Sequence, residues 1–395
     1  MHSGVATTYS LPEMTGWRVA GAGVTGDGGE EVGSGGSPGA GTGEESPGVG
    51  PGQIGSGCQR TGELREGGAP TRGGGATMID LPRYDDLPAA PDGGRSGWGV
   101  FGPDDSVGLC NLQGPDQVVA AAALVRRGAV FPLDAPLDAF SPPLATGRGS
   151  PRHTVLHRPG TAGFDDLLDN FYLQASSQWD SLAHVGYAPD AFYNGATEDD
   201  ILAGRRNTIE HWARRGIVGR AVLLDLVRAR TDAGRPYHPG EPVAFGVEDL
   251  ELARARAGVE LRPGDIILLH TGFAQWYQEQ PDDVKLSLPR HLTTAGVDRT
   301  EDVARYLWDT HASAIAADNF AVEVWPPDRS PDAGPFGFLH RMLIGQFGMA
   351  LGELWWLKDL ADDCDADGVS EAFLVSAPLH HVGGIGSPPN AIAIK

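Results

Sequence analysis

Short, continuous apolar runs that end in polar residues constrain the fold of this chain more than any other feature. Such a run, rich in Val, Ile and Leu, is typical of a strand buried on both faces. Four of them begin at Ala221, Asp265, Ala312 and Glu371. Helical patterns over 247–257 and 300–310 lie between the runs. Strands that alternate with helices predict an α/β fold with a substantially parallel or mixed sheet.

Local patterns elsewhere predict further elements. Apolar residues at helical spacing predict a helix over 115–127, which Gly128 ends. Another helix is predicted near 198–214, and the segment 131–137 is predicted to be short and extended. Residues 141–170 contain Pro and Gly throughout and are predicted to be loops.

Three of the predicted strands end in groups that can carry chemistry. These groups are Asp225, the pair His270–Thr271, and Asp318. In open α/β sheets, ligands collect at the carboxyl ends of the strands. Taken singly, each residue is more typical of a structural cap or turn, so the pattern indicates a region and leaves the role of each group open.

Composition divides the chain near residue 77. Of the first 77 residues, 24 are Gly, and few are large and apolar. Such a segment buries too little surface to offset its ordering entropy, so we expect residues 1–77 to be disordered. Residues 78–395 have the composition of one globular domain. Met78 is a candidate for the biological start, in which case the tail is a gene-model extension.

Charge and cysteine content narrow the class of protein. The formal net charge is -22, which argues against binding to nucleic acid or to an anionic membrane. The sequence has no apolar run long enough to span a bilayer, and its N-terminus does not resemble a secretion signal. Its three cysteines are too few for a disulfide framework. We therefore expect a cytoplasmic protein whose partner is a small molecule.

The stretch from Gln174 to His184 concentrates polar groups at regular spacing. Gln174 and Gln178 are four residues apart, Asp180 follows two later, and His184 four after that. This spacing predicts a turn followed by a helix that directs several side chains into one cleft. A hydrogen-bonded loop leading into a surface helix, with Asp180 and His184 as an ordinary i, i+4 pair, fits the same spacing.

A second constellation consists of His340 and Glu353. A helix start at His340, a break at Gly348 and an extended apolar run ending at Glu353 predict that the two side chains are folded together. A histidine with a carboxylate is half of a zinc or manganese site. A helix-capping histidine and a buried glutamate paired with an arginine are the alternative.

Several passages resemble one family. From about Tyr84 to Lys395 the chain is similar to the cyclase family of metal-dependent hydrolases, which includes bacterial kynurenine formamidase, an arylformamidase, and isatin hydrolase. The matching passages are Ser96–Asp105, Gln178–His184, Arg214–Asp225, Ala317–Trp325 and Leu339–Glu353. The resemblance implies a swivelling β/β/α fold with a mixed sheet flanked by helices, a homodimer or homotetramer, and hydrolysis of an amide or formamide.

The signature of that family reads His-x-Gly-Thr-His-x-Asp-x-Pro-x-His. Asp180 and His184 match its Asp and its last His, and His340 and Glu353 match a later metal-binding His and Glu. The resemblance thus implies metal ligation by these residues, and acid/base work by His184. Gln174 and Gln178 stand where two histidine ligands belong, and Leu182 replaces the proline.

The two glutamines alter the expected metal chemistry. An amide oxygen is a weak, hard ligand, whereas an imidazole binds zinc well. The candidate metal ligands are Asp180, His340, Glu353, Gln174 and Gln178, and the candidate catalytic residues are His184, Asp180 and Gln178. This oxygen-rich set is better suited to manganese or magnesium than to zinc.

The predicted function is therefore metal-dependent hydrolysis of a carbon–nitrogen bond in an amide, formamide or lactam. Trp179, Phe192, Tyr193 and Trp325 are candidates for the wall of an aromatic substrate site, and ordinary core positions explain them equally well. Two alternatives remain open. One is a metal-free lyase or cyclase that uses Asp180 and His184 as acid and base, and the other is a non-catalytic binding protein on a degenerate site.

Overall fold

A nine-stranded mixed sheet organises residues 81–157 and 162–395, the parts of the chain that the computed structural model describes. The predicted disordered segment 1–77 and Met78 lie outside these residues. Two further pairs of strands lie apart from the main sheet. The strands are β1 (Val130–Pro132), β2 (Arg152–His157), β3 (Phe164–Asp169), β4 (Gln178–Asp180), β5 (Ile217–Asp225), β6 (Ala244–Phe245), β7 (Ile266–His270), β8 (Gly296–Val297), β9 (Ala314–Ala317), β10 (Ala350–Glu353), β11 (Glu371–Ser376), β12 (Gly386–Ser387) and β13 (Ala391–Ile394).

The strand order of the main sheet is β1-β13-β11-β5-β7-β9-β10-β4-β12. Its centre is parallel, because β5 pairs with β7, β7 with β9, and β9 with β10 in one direction. On one side β11 runs antiparallel to β5, and on the other β4 runs antiparallel to β10. The predicted α/β fold with a mixed sheet flanked by helices is confirmed.

Helices lie before, between and after the parallel strands. They are α1 (Pro115–Ala122), α2 (Glu198–Leu202), α3 (Glu210–Ala213), α4 (Leu226–Asp232), α5 (Val247–Ala257), α6 (Phe273–Gln278), α7 (Asp282–Ser287), α8 (Glu301–Asp309), α9 (His340–Leu343) and α10 (Lys358–Asp367). The predicted helix over 247–257 is confirmed as α5, which ends where Gly258 adopts the left-handed conformation. Within the described residues, none of the helices has the length and apolar character needed to cross a bilayer.

Two predicted helices are longer in the sequence pattern than in the structure. The helix predicted over 115–127 ends at Ala122, because the N–H groups of Arg127 and Ala129 donate to the carbonyl of Lys395. The helix predicted near 198–214 is divided into α2 and α3. Gly204 and Asn207, both with positive φ, occupy the break.

Two segments contain strands that the sequence pattern did not predict. Residues 141–170, predicted as loops, include the β2–β3 hairpin, whose strands are exposed along their whole length. The predicted turn-plus-helix from Gln174 to His184 is wrong, since Gln178–Asp180 is a strand. Pairing with β10 on one side and β12 on the other satisfies its backbone in an extended conformation.

The parallel strands bring their polar ends to one edge of the sheet. Asp225 and His270 are paired in register at the ends of β5 and β7, and Asp318 directly follows β9. Glu353 ends β10 at the same edge. The predicted collection of polar groups at the carboxyl ends of these strands is confirmed.

A sharp reversal of the chain joins His340 to Glu353. Gly348 lies between α9 and β10 with φ of 66°, and its carbonyl accepts a hydrogen bond of 2.8 Å from the N–H of Leu109. Gly108, with φ of 68°, lies so close that a Cβ placed on it would be 2.0 Å from the Gly348 oxygen. Two glycines in contact therefore allow the reversal that carries His340 and Glu353.

Gly108→Ala tests this contact. The added methyl group clashes with backbone and also strains a left-handed residue, so we expect a loss of about 3 kcal/mol or more in the free energy of unfolding. Gly128→Ala is the matched control, because Gly128 has φ of 69° with nothing within 4 Å of an added Cβ. Its expected loss is about 1–2 kcal/mol. Equal losses in urea unfolding would contradict the role assigned to the close contact.

Candidate active site

Strand pairing places three polar side chains on one face of the sheet. Gln178 and Asp180 are two residues apart on β4, so both project to the same side. Glu353 of β10 is opposite Gln178 in the register, which puts its side chain on that side too. All three residues are buried. Trp179, between the first two, projects into the core on the other face, against Trp212 and Trp355.

His340, at the start of α9, completes the cluster. Its Nε2 atom lies 3.0 Å from Glu353 Oε1 and 3.8 Å from Asp180 Oδ2. Ligand atoms from Asp180, His340 and Glu353 all lie within 4.8 Å of one another. The predicted proximity of His340 and Glu353 is therefore confirmed, and Asp180 lies with them.

Glu323 orients His340 from behind and was missed by the sequence reasoning. Its Oε2 atom lies 2.7 Å from His340 Nδ1, and its side chain is fully buried. The ring of Phe338 stacks on the imidazole, with 4.4 Å between the ring centroids. Burial lowers the pKa of His340, but the neighbouring carboxylates of Glu323 and Glu353 outweigh it and hold that pKa well above its usual value. The ring is fixed so that Nε2 faces the other ligands.

The loop that carries Glu323 is held in an uncommon conformation. Val322, a β-branched residue, has φ of 59°, which is rare outside glycine and asparagine. The Asn319 side chain stabilises the turn by accepting from the N–H of Val322 and donating to its carbonyl. Gly296 leaves room for the loop, since a Cβ there would lie 2.3 Å from the Glu323 carbonyl carbon. Strain of this kind is typical of functional sites.

His184 lies at the accessible edge of the cluster. A tight turn, in which its N–H donates to the carbonyl of Ser181, brings its Nε2 atom to 3.7 Å from Asp180 Oδ1. Its side chain keeps 23% exposure, whereas that of Asp180 has none. Burial lowers the pKa of His184, and burial raises the pKa of Asp180 to about 6. His184 is therefore neutral at pH 7 and able to accept a proton.

The two glutamines occupy different positions. Gln178 Nε2 donates to Glu353 Oε2 at 2.5 Å and lies 3.5 Å from Asp180 Oδ1, while its Oε1 atom has no hydrogen-bond partner. Gln174 lies further out. The Gln174 amide nitrogen packs against Gly386, because a Cβ added to Gly386 would lie 2.7 Å from that nitrogen. Gly386 is paired in register with Asp180.

The cluster has the chemistry of a divalent cation site. Asp180, Glu323 and Glu353 bring three buried carboxylates together with one imidazole. One oxygen of Asp180, one of Glu323 and the amide oxygen of Gln178 are buried without a hydrogen-bond partner. Buried carboxylates without sufficient positive charge are unfavourable, and a cation would remove that excess. Asp180, His340 and Glu353 fit such an ion, with Gln178 a further ligand if its amide is rotated.

The other predicted strand-end groups form a separate ion network. His270 Nδ1 lies 3.1 Å from Asp225 Oδ1, and its Nε2 lies 3.9 Å from Asp318 Oδ2. Asp318 also accepts hydrogen bonds from the N–H groups of Thr271 and Gly272. Asp225 caps α4 and pairs with Arg228. These contacts stabilise the ends of the parallel strands and involve none of the three candidate metal ligands.

Arg148 is a second residue that the sequence reasoning missed. Its guanidinium donates to the carbonyl of Gln174 and is near enough to lower the pKa of both Asp180 and His184. Arg148, Phe320 and Trp325 line a cleft of about 590 Å³ beside the cluster. Among the predicted aromatic wall residues, Trp325 lies on this cleft. Trp179 and Tyr193 are instead fully buried in the core.

Known proteins share this architecture. The family model described as "Putative cyclase" matches residues 133–324. A crystal structure described as a novel cyclase is 32% identical to this chain, with a TM-score of 0.67. The match covers 76% of this chain and 99% of that one. The chain belongs to the putative cyclase family. Comparison with curated proteins found no match.

More distant structures resemble this cyclase-family chain weakly. Isatin hydrolase A from Ralstonia solanacearum is 17% identical, with a TM-score of 0.48 over 70% of this chain and 94% of its own. A predicted metal-dependent hydrolase from Bacillus stearothermophilus is 18% identical, with a TM-score of 0.41 over 68% of this chain and 98% of its own.

Glu323→Gln tests the positioning of His340. A neutral amide at position 323 accepts a weaker hydrogen bond from His340 Nδ1 and no longer fixes the ring, so we expect manganese affinity to fall about 10–100-fold. Isothermal titration calorimetry on the full chain measures this directly. Glu279→Gln, at an exposed position directly after α6, is the control and is expected to bind manganese as the unaltered chain does. Unchanged affinity in Glu323→Gln would contradict the assignment.

Proposed function

We propose that this cyclase-family chain is a divalent-metal-dependent hydrolase that cleaves a carbon–nitrogen bond in an amide, formamide or lactam. One observation carries the proposal. A buried ligand set of Asp180, His340 and Glu353 lies directly beside a neutral, partly exposed histidine, His184. This combination suits the hydrolysis of an amide, because a metal ion polarises the carbonyl and a neutral histidine accepts the proton of the attacking water.

The metal would be held by Asp180, His340 and Glu353. Two of these three residues supply oxygen, and Gln178 would add a third oxygen, which favours manganese or magnesium over zinc. A cation in this position would polarise the substrate carbonyl and lower the pKa of a bound water. Glu323 would keep His340 in the tautomer and orientation that the ligand set requires.

His184 is the proposed acid/base residue. Its lowered pKa leaves Nε2 free to accept a proton from the attacking water at neutral pH. Asp180 Oδ1, at 3.7 Å, stabilises the imidazolium that results. The same proton then passes from His184 to the leaving nitrogen as the carbon–nitrogen bond breaks. One histidine on the accessible side of the cluster thus serves both half-steps.

The two glutamines are proposed to act on substrate or water. Gln178 lies within the cluster, where its amide nitrogen is a donor and contacts the carboxylate of Glu353. Gln174 lies between Gly386 and Arg148, nearer the cleft. Amide donors placed where negative charge develops stabilise an oxyanion without supplying charge themselves.

A metal-free lyase or cyclase is the second candidate, and one observation favours it. The pKa of Asp180 is raised to about 6, so this carboxyl group could itself exchange a proton near neutral pH. In that case Asp180 and His184 act as acid and base alone. Turnover that persists at full rate in the presence of a chelator would distinguish this candidate from the hydrolase.

The role of His184 is tested by His184→Ala. Loss of the proton carrier is expected to lower kcat by about 10²–10⁴-fold while the fold is kept. The assay uses a panel of formamides, lactams and aryl amides with added manganese. His153→Ala is the matched control, because His153 pairs with Asp166 in the same way on the exposed β2–β3 hairpin. It is expected to leave turnover unchanged.

Two results would count against this assignment. Full activity in His184→Ala would place the acid/base group elsewhere. Inactivity of the unaltered chain toward every compound and metal tried would favour a non-catalytic binding protein. Circular dichroism of His184→Ala separates loss of chemistry from loss of fold.

A further inference from the structure

The cleft beside the cluster is basic at its rim. It is lined by Arg148, Arg290 and His291, and no Asp or Glu is among its lining residues. Arg290 and His291 are exposed, and within the described residues neither they nor Arg148 form an ion pair with a carboxylate. In contrast, the buried Arg220 pairs with both Asp265 and Glu371. Two arginines without a carboxylate partner, around a cleft with no acidic lining residue, give this cleft a local excess of positive charge in a chain of net charge -22.

One wall of the cleft is aromatic and apolar. Phe320 and Trp325 pack edge to face, with ring centroids 4.9 Å apart. Leu144 and Leu292 also line the cleft. Aromatic and aliphatic surfaces of this kind favour a flat ring, while a few charged groups fix its orientation.

Contacts on two sides connect the cleft to the proposed metal site. On one side Arg148 donates to the carbonyl of Gln174, whose side chain covers Gly386 next to Asp180. On the other side Trp325 contacts Phe338 at 6.4 Å between centroids, and Phe338 stacks on His340. These contacts join the walls of the cleft to the residues that surround the cluster.

We propose that this cleft binds an anionic aromatic group of the substrate, with the ring on Phe320 and Trp325 and a carboxylate on Arg148 and Arg290. This inference rests on the proposed function, because it assumes that the scissile bond of the substrate lies at the Asp180–His340–Glu353 cluster. The binding itself does not depend on turnover. Guanidinium groups are suited to this role, since they bind carboxylates through two parallel hydrogen bonds.

Calorimetric titration of the full chain with benzoate and with benzamide tests the charge preference. The two probes have nearly the same shape and differ in charge. We expect benzoate to bind at least tenfold more tightly, because charge-assisted hydrogen bonds to arginine exceed neutral ones by about that factor. Acetate, which lacks the ring, is expected to bind at least tenfold more weakly than benzoate. Equal binding of benzoate and benzamide would overturn the proposal.

Substitutions locate the binding. Arg290→Gln and, separately, Arg148→Gln are each expected to reduce the preference for benzoate to threefold or less. Arg126→Gln is the matched control, because Arg126 is exposed, pairs with no carboxylate among the described residues, and does not line the cleft. It is expected to keep the full preference. A preference that survives in both Arg290→Gln and Arg148→Gln would overturn the proposal.

A carboxylate can also bind a metal ion directly, so the titrations are repeated after chelation with EDTA. A benzoate preference that is lost with EDTA but kept in both arginine variants would assign the binding to the metal and contradict the proposal. These results are independent of catalysis. If the chain hydrolyses no amide yet shows the arginine-dependent preference, the proposed function fails while the anionic aromatic site stands.

Discussion

The antiparallel pairing of β4 with β10 is the interaction on which the site depends. It places Gln178 opposite Glu353 and Asp180 opposite Leu351, so that three polar side chains meet on one face. The indole of Trp355 reinforces this pairing by donating to the carbonyl of Gln178. A shift of one residue in register would turn Asp180 and Gln178 toward the core. The buried Trp179 on the opposite face opposes such a shift, because it would then be placed among carboxylates.

The cluster also depends on the contacts that hold His340 in place. His340 lies on a short helix and is held between the carboxylate of Glu323 and the ring of Phe338. Glu323 in turn depends on a loop with Val322 at positive φ and on the absence of a side chain at Gly296. Together they fix one imidazole and three carboxylates in a buried space, where a divalent cation would balance the excess negative charge.

Much of this arrangement was predictable from particular patterns in the sequence. Continuous apolar runs identified the parallel strands, and Gly348 indicated that His340 and Glu353 would be folded together. The stretch around Asp180 was assigned to a helix, because a three-residue strand is too short to show a period of its own. Glu323 and Arg148 were missed because their roles arise from contacts across the fold. Glu323 lies within the family-like passage Ala317–Trp325, but its local sequence does not signal a contact with His340, and Arg148 lies in no such passage.

The central claim is that Asp180, His340 and Glu353 hold a divalent cation. Elemental analysis of the full chain by plasma mass spectrometry, after incubation with manganese and removal of free metal, tests it most directly. We predict about one equivalent of manganese per chain, and a value below one-tenth in Glu353→Gln, which removes one ligand charge. Less than one-tenth of an equivalent in the unaltered chain, with activity undiminished by a chelator, would contradict the claim.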